Sequence, residues 1–159
     1  MKELTEEQAF SRATGYCSRA EHCPSEVLSK LRQWGVADEE VQQRIVCRLM
    51  EEGYVDESRF CHSFVNDKFR FNHWGKQKIA LYLRQKGLPA TLIAEALAEI
   101  EEEGYEEMTE QLLMSKLKSL KTADPYQLYG KLMRFAAGRG IEQEQAHAAI
   151  KRLLNQVPE

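Results

Sequence analysis

Residues 53–87 read GYVDESRFCHSFVNDKFRFNHWGKQKIALYLRQKG, and their periodicity decides the fold class. Gly53 marks a turn, and Asp56 is placed as the N-cap of the helix that follows. Phe60, Phe64 and Phe71 recur near the helical period, with Cys61, Val65 and Phe69 beside them, which predicts one broad apolar face. Gly75 reads as the break in this run. A second helix, Lys76 to Lys86, sets Ile79, Ala80 and Leu83 on one side, and Gly87 closes it as a C′ glycine. Tyr54 and Phe60 read as packing anchors, and Arg59 as a structural partner of the turn or of an acidic neighbour. Between Glu57 and Gly87 there are seven Lys/Arg against two Asp/Glu in a chain of net charge −3, so positive charge gathers here.

Outward from this stretch the pattern repeats. Leu31-Arg-Gln-Trp-Gly35-Val36 matches Leu83-Arg-Gln-Lys-Gly87-Leu88 at a spacing of 52, and Ala136-Ala-Gly-Arg-Gly140-Ile141 follows 53 further on. A second block, Leu49-Met-Glu-Glu-Gly53-Tyr54, matches Ile100-Glu-Glu-Glu-Gly104-Tyr105 at 51. The chain therefore divides into three units of about 50 residues: 1–53, 54–104 (the basic one) and 105–159.

In the first unit, Thr5 and Gln8 form a capping box and helix 1 runs to about Arg19. Pro24 and Ser25 start helix 2, which turns Val27, Leu28 and Leu31 inward and ends at Gly35. Helix 3 begins near Asp38, buries Val41, Ile45 and Leu49, and stops at Gly53. The second unit adds a helix after Pro89 with Ile93, Ala96, Leu97 and Ile100 on one face. In the third, helix 1 spans about Glu106 to Lys121 with Leu113, Leu117 and Leu120 inward. Asp124-Pro125 starts a helix carrying Leu128, Leu132 and Phe135, and Gly138 and Gly140 end it. The last helix uses Ala146, Ala149, Ile150, Leu153 and Leu154 and frays at Pro158. The expectation is an all-α chain: three tandem three-helix repeats stacked into an elongated, curved, right-handed-type helical array.

Composition narrows the function. At 159 residues and 43% hydrophobic content the chain can bury a real core. The net charge of −3 argues against indiscriminate nucleic-acid binding. No apolar run approaches a membrane span, and MKELTEEQ has no signal-peptide pattern, so no membrane role and a cytoplasmic location are expected. Cys17, Cys23, Cys47 and Cys61 form no CxxC and suit reduced thiols. No catalytic constellation emerges. WGKQK lacks the spacing and preceding strand of a phosphate-binding loop. Glu101-Glu102-Glu103 reads as a solvated helix end before Gly104. Cys17, His22 and Cys23 lack a fourth zinc ligand, and Cys61 and His62, consecutive on a helix, point about 100° apart. No enzyme, no cofactor and no metal are expected.

The motifs themselves resemble a known family. GYVDESRF, then WGKQKIALYLRQKGL and a later RGI, are similar to the bacterial regulatory protein RecX family. That family has a glycine-aromatic-x-Asp-Asp/Glu-x-Arg-Phe turn followed by a Gly-x-x-x-Ile-x-x-x-Leu-x-x-Lys-Gly-Ile helix. The structural motif is thus Gly53, Tyr54, Asp56, Arg59, Phe60, Gly75, Ile79, Leu83 and Gly87. Leu88 stands where Ile is usual, Cys61 where Ala is common, and the third unit has Ala136-Ala-Gly-Arg in place of a Leu-x-x-Lys form. The resemblance implies a monomer that binds the RecA recombinase, lies in the groove of its filament, meets single-stranded DNA through that filament or weakly on its own, and inhibits RecA ATPase, strand exchange and co-protease activity in DNA repair and the SOS response.

The charge pattern suits such a partner. Residues 88–111 carry eight acidic side chains and no basic ones, and residues 112–139 return six basic against one acidic. Alternating patches fit a surface of protein plus DNA phosphate, where they steer encounter and register. The candidate partner- and DNA-binding residues are Lys68, Arg70, Trp74, Lys76, Lys78, Arg84 and Lys86, with Lys131, Arg134 and Arg139 in the third unit. The same cations also fit a solvated helix face, and Trp74 fits either a stacking platform or a core aromatic. The alternative function is a DNA-binding module that needs no recombinase, each unit setting a helix in a major groove; net acidity counts against it. One consequence concerns the core: Leu83→Ala should lower unfolding free energy by about 2–5 kcal/mol in urea titration, as befits a buried leucine.

Overall fold

The structure, a computed structural model, describes residues 3–155. Among these residues the regular structure is entirely helical: α1 (Glu6–Arg19), α2 (Pro24–Gln33), α3 (Glu39–Glu51), α4 (Glu57–Arg70), α5 (Lys76–Gln85), α6 (Ala90–Ala98), α7 (Glu102–Ser119), α8 (Pro125–Gly138) and α9 (Gln143–Asn155). The fraying expected at Pro158 lies outside the described residues.

Helix starts follow the capping residues. Thr5 Oγ1 accepts from the Gln8 N–H while Thr5 N–H donates to Gln8 Oε1, a complete capping box. Asp38, Asp56 and Asp124 accept from the backbone N–H of Glu40, Arg59 and Tyr126 at 2.9, 2.9 and 3.2 Å. Pro24 and Pro125 each stand in the first helical turn, where no N–H is needed.

The repeated sequence block proves to be a helix terminator. Gly35, Gly87 and Gly140 all have φ between 83° and 91°, and each ends its helix in the same way. Val36 N–H donates to Leu31 O, Leu88 N–H to Leu83 O and Ile141 N–H to Ala136 O, at 2.9, 3.1 and 3.0 Å. The glycine N–H reaches one carbonyl later, at Arg32, Arg84 and Ala137. This is the Schellman closure, and its hydrophobic contact explains the flanking residues. Leu31, Leu83 and Ala136 are fully buried, and so, nearly, are Val36, Leu88 and Ile141.

Three expectations fail. Gly104 is not a turn like Gly53; it lies inside α7, which starts at Glu102 rather than near Glu106. The three glutamates open this helix instead of trailing from the one before, because carboxylates in a first turn sit at the positive end of the helix dipole. Phe71 is not on the apolar face of α4 but 75% exposed, since the helix ends at Arg70 and its phase is lost. Nor is Gly75 the residue that ends α4. The chain turns before it, at His73, which has φ 55°.

The chain divides into two compact units. One comprises the residues up to Ser63 with Leu83–Ile93. Its core is built from Ala9, Phe10, Ala13, Val27, Leu31, Ile45 and Leu49 of α1–α3, sealed by Val36 and Val55. Gln42 is buried there, its Nε2 donating to Val36 O at 2.7 Å, so the buried amide is satisfied. The other unit comprises Phe64–Tyr82 and the chain from Ala94 on. Leu113, Leu132, Ile141, Ala149, Ile150 and Leu153 form the centre of its α7–α9 core.

Within the second unit, two turns far apart in sequence dock backbone on backbone. Gly75 N–H donates to Arg139 O at 2.6 Å, and Gln77 N–H to Gly140 O at 2.9 Å. A Cβ at Gly75 would stand 2.3 Å from the Gly140 carbonyl carbon, and one at Gly140 would stand 2.2 Å from Lys78 Cβ. Backbone cannot swing aside as a side-chain tip can. Gly75→Ala is therefore expected to lower stability by about 1–3 kcal/mol or more. Gly104→Ala, whose Cβ meets open space inside a helix, is expected to raise it by up to about 1 kcal/mol. Thermal or urea midpoints of the two variants check both signs.

Candidate partner and nucleic-acid interface

The Gly75–Gly140 docking places a cationic, aromatic surface on the second unit. Trp74 N–H donates to Lys68 O at 3.0 Å, so the turn folds back on the last stretch of α4. The half-buried indole is then enclosed by cations and rings. Lys68 Nζ and Lys78 Nζ lie 4.8 and 4.5 Å from its centroid, with Tyr82 at 4.8 Å and Phe64 edge-on at 6.3 Å. Ammonium groups at such distances gain about 0.5–1 kcal/mol each at exposed sites. Trp74 thus acts both as packing for the hairpin and as a platform that fixes two lysines.

Lys76 is held from the other side of the same turn. Its Nζ stands 4.7 Å from the Tyr105 ring centroid, and its N–H donates to Tyr105 Oη at 2.9 Å. Tyr105, fully buried, donates its hydroxyl to Glu142. Burial and the bond to the Glu142 carboxylate both push the phenol well above its usual range, so it remains a neutral donor.

A further cationic pocket adjoins α8. Lys116 Nζ and the Arg139 guanidinium approach the Phe135 ring at 5.4 and 5.8 Å. Lys116, Lys131, Arg134 and Phe135, with Leu120, line a cavity of about 460 Å³. Arg139 Nε is buried without a hydrogen-bond partner. Among the described residues, none of Lys68, Lys76, Lys78, Lys131, Arg134 and Arg139 forms an ion pair with a carboxylate. Among the described residues this positive charge meets rings but no carboxylate. An arrangement of this kind binds anions, and interleaved rings suit nucleotide bases or partner side chains.

The remaining sequence-derived candidates lie elsewhere. Arg70 is exposed just before the exposed Phe71. Arg84 is exposed on the first unit. Lys86 is engaged internally: its Nζ contacts Glu26 Oε2 at 3.0 Å, and its carbonyl accepts from Ser25 Oγ at 2.7 Å. Arg59 has the structural role expected of it, with Nε 2.5 Å from Glu21 Oε1 and Nη2 donating to Gly53 O. Phe60, Ile79 and Leu83 are core, whereas Tyr54 is 38% exposed and meets Phe10 edge-on.

Cys17, Cys61 and His22 of the first unit are engaged in packing. Cys17 and Cys61 are buried, and burial pushes both thiols up to about 11, too high for a nucleophilic thiolate at neutral pH. His22 stacks on Tyr16 at 3.7 Å, and its Nδ1 lies 3.1 Å from Glu26 Oε1. No three His, Cys, Asp or Glu among the described residues gather as metal ligands. Among those residues, too, no helix is long and apolar enough to cross a membrane.

Sequence reasoning missed Tyr105, Glu142, Lys116 and Phe135 as part of this surface. Tyr105 and Glu142 meet across 37 positions, a pairing that no local period announces. Lys116 was legible only as one of the six cations of residues 112–139.

Residues 56–97 match the family description "RecX, second three-helix domain". A protein from Mycobacterium sp. (strain JLS) named "Regulatory protein RecX" is 31% identical over 145 residues, covering 89% of this chain and 79% of that one. One of the same name from Amycolatopsis mediterranei is 26% identical over 158 residues, covering 97% and 90%. Among solved structures, RecX from Lactobacillus salivarius superposes with a TM-score of 0.80 at 18% identity, over 94% of this chain and 97% of that one. Another crystal structure of regulatory protein RecX gives 0.84 at 22%, over 92% and 71%; at such identities the likeness is one of fold.

The Glu26 cluster gives a pH dependence. Burial alone would raise this carboxyl, but hydrogen bonds from Lys86, His22 and the Cys23 N–H outweigh it and hold it below the usual range. A carboxylate lowered in the folded state stabilises fully above its unfolded value of about 4.5, and that contribution vanishes as pH falls through the lower folded value. Glu26→Gln should thus cost about 1–3 kcal/mol at pH 7, and the difference from the parent should shrink below pH 4. Urea midpoints at pH 7 and pH 3.5 measure it.

Proposed function

Since the chain belongs to the RecX family, we propose that it is a non-enzymatic modulator of the RecA recombinase. In this reading it binds in the groove of the RecA filament on single-stranded DNA and lowers ATPase, strand exchange and co-protease activity during DNA repair and the SOS response. It acts as a cytoplasmic monomer without a cofactor. The three-repeat division, 1–53, 54–104 and 105–159, belongs with this proposal as the means of presenting successive surfaces to a polymer.

One observation carries the reading: Lys68, Lys76, Lys78, Lys116 and Arg139 of the second unit lie against aromatic rings and, among the described residues, pair with no carboxylate. Surface lysines kept only for solubility need no such supports. Held side chains lose less entropy on meeting an anionic partner, which favours affinity. The partner has both phosphate and protein character, because the acidic segment 88–111 lies between basic ones in sequence and would repel bare DNA.

The test is the DNA-dependent ATPase of RecA with the protein added at stoichiometric ratio. Turnover should fall; an unchanged rate would remove the reading. The triple variant Lys68→Glu, Lys78→Glu, Arg134→Glu should need at least about tenfold more protein for half-inhibition, equivalent to about 1.4 kcal/mol of lost binding. Its helicity should stay that of the parent, and its stability should fall by no more than the two ammonium–ring contacts supply, about 1–2 kcal/mol.

A further inference from the structure

The first unit holds a cationic, aromatic pocket that plays no part in the surface described above. It is a cavity of about 450 Å³, lined by Arg12, Gly15, Tyr16 and Arg19 of α1 and by Lys30 and Trp34 of α2 and its C-cap. The volume is that of a small-molecule site. Arg12 and Arg19 are seven residues apart on one helix, which places them on one face two turns apart, and Gly15 lies between them. Arg12 lies over the Trp34 ring at 4.7 Å and Lys30 Nζ over Tyr16 at 5.5 Å. The two rings meet edge to face, their centroids 6.1 Å apart.

Three features distinguish this pocket from an ordinary helix surface. No acidic residue lines it. Among the described residues Arg12, Arg19 and Lys30 have no carboxylate partner, whereas Arg44, Arg48 and Arg59 of the same unit are paired with Glu6, Glu7 and Glu21. The floor is left empty as well. A Cβ at Gly15 would meet nothing within 4 Å, although glycine inside a helix costs about 1 kcal/mol relative to alanine.

We propose that this pocket is a binding site for one nucleotide unit of a single strand, its base stacked on Trp34 and its phosphate held by Arg12, Arg19 and Lys30. Stacking and charge point to the same occupant. An Arg–indole contact at an exposed site is weak, about 0.5–1 kcal/mol, so an entering base displaces Arg12 from the ring at little cost and frees the guanidinium for the phosphate. Base–aromatic stacking gives about 1–3 kcal/mol and is indifferent to sequence. An acidic peptide would use the cations but put nothing on the Trp34 face that Arg12 vacates, whereas the Tyr16 ring already carries His22 at 3.7 Å. The site is built from α1 and α2 of the first unit, whereas Trp74 belongs to the second, and it does not require the recombinase.

The experiment uses the full chain with Trp74→Phe, so that Trp34 is the only indole, and follows its fluorescence on titration with the single strand (dT)5. Saturable quenching is expected. Gly15→Met, which fills the floor and leaves every cation in place, should weaken binding at least tenfold, while Gly15→Ala should bind as before. Arg12→Ala with Lys30→Ala, on the rim, should weaken binding and reduce the slope of log affinity against log salt by up to about 0.7, the value for the one phosphate charge no longer neutralised. Circular dichroism checks that each variant is helical. The proposal is overturned if (dT)5 leaves Trp34 unquenched, if Gly15→Met binds like the parent, or if a penta-glutamate peptide binds as tightly as (dT)5. Because recombinase is absent throughout, failure here leaves the ATPase reading untouched, and failure there leaves this site standing.

Discussion

Helices α2, α5 and α8 each end where a buried aliphatic side chain is followed, four residues later, by a left-handed glycine. Leu31–Gly35, Leu83–Gly87 and Ala136–Gly140 use this closure in turn. Two carbonyls that the helix leaves open are satisfied at each stop, and the next residue is driven into the core as Val36, Leu88 or Ile141. Only glycine adopts φ near +87° freely. The geometry of each helix exit is thereby fixed before any distant contact forms, which is what short helices joined by tight turns require.

At Gly140 the same closure has a second role. The turn it makes presents Arg139 O and Gly140 O outward, and these accept the N–H groups of Gly75 and Gln77. Absence of a side chain at both glycines lets the backbones meet. Trp74, one residue before the contact, gathers Lys68 and Lys78 on its ring, while Arg139, one residue before the other glycine, lies over Phe135. The cationic, aromatic surface thus follows from the way two turns pack.

Most of the fold was readable because its signals are local. Thr5, Asp38, Asp56 and Asp124 cap where their spacing to the apolar run indicates. Ile79 and Leu83 are buried as their period requires. The block around Gly104 misled because it looks like the one around Gly53. What separates them is context: Gly53 ends a helix with φ 81°, whereas Glu101–Glu103 can begin one, and Tyr105 must enter the core in helical register. Phe71 misled because composition does not reveal where a helix stops. Of the candidate site, the cations were legible as a charge count, but their division was not. Lys86 and Lys78 are alike in sequence; only the fold brings Glu26 to the first and Trp74 to the second. The Tyr105–Glu142 pair and the Arg12–Trp34 pocket join helices that no periodicity relates.

The proposed partner is an anionic polymer coated with protein, and that proposal can be tested without any variant. Amide hydrogen exchange of this chain, alone and with RecA filaments on single-stranded DNA, reports which backbone segments the filament covers. Slower exchange is expected in peptides spanning Lys68–Lys78 and Lys131–Gly140. Unchanged exchange in both segments, with the filament demonstrably bound, would contradict it.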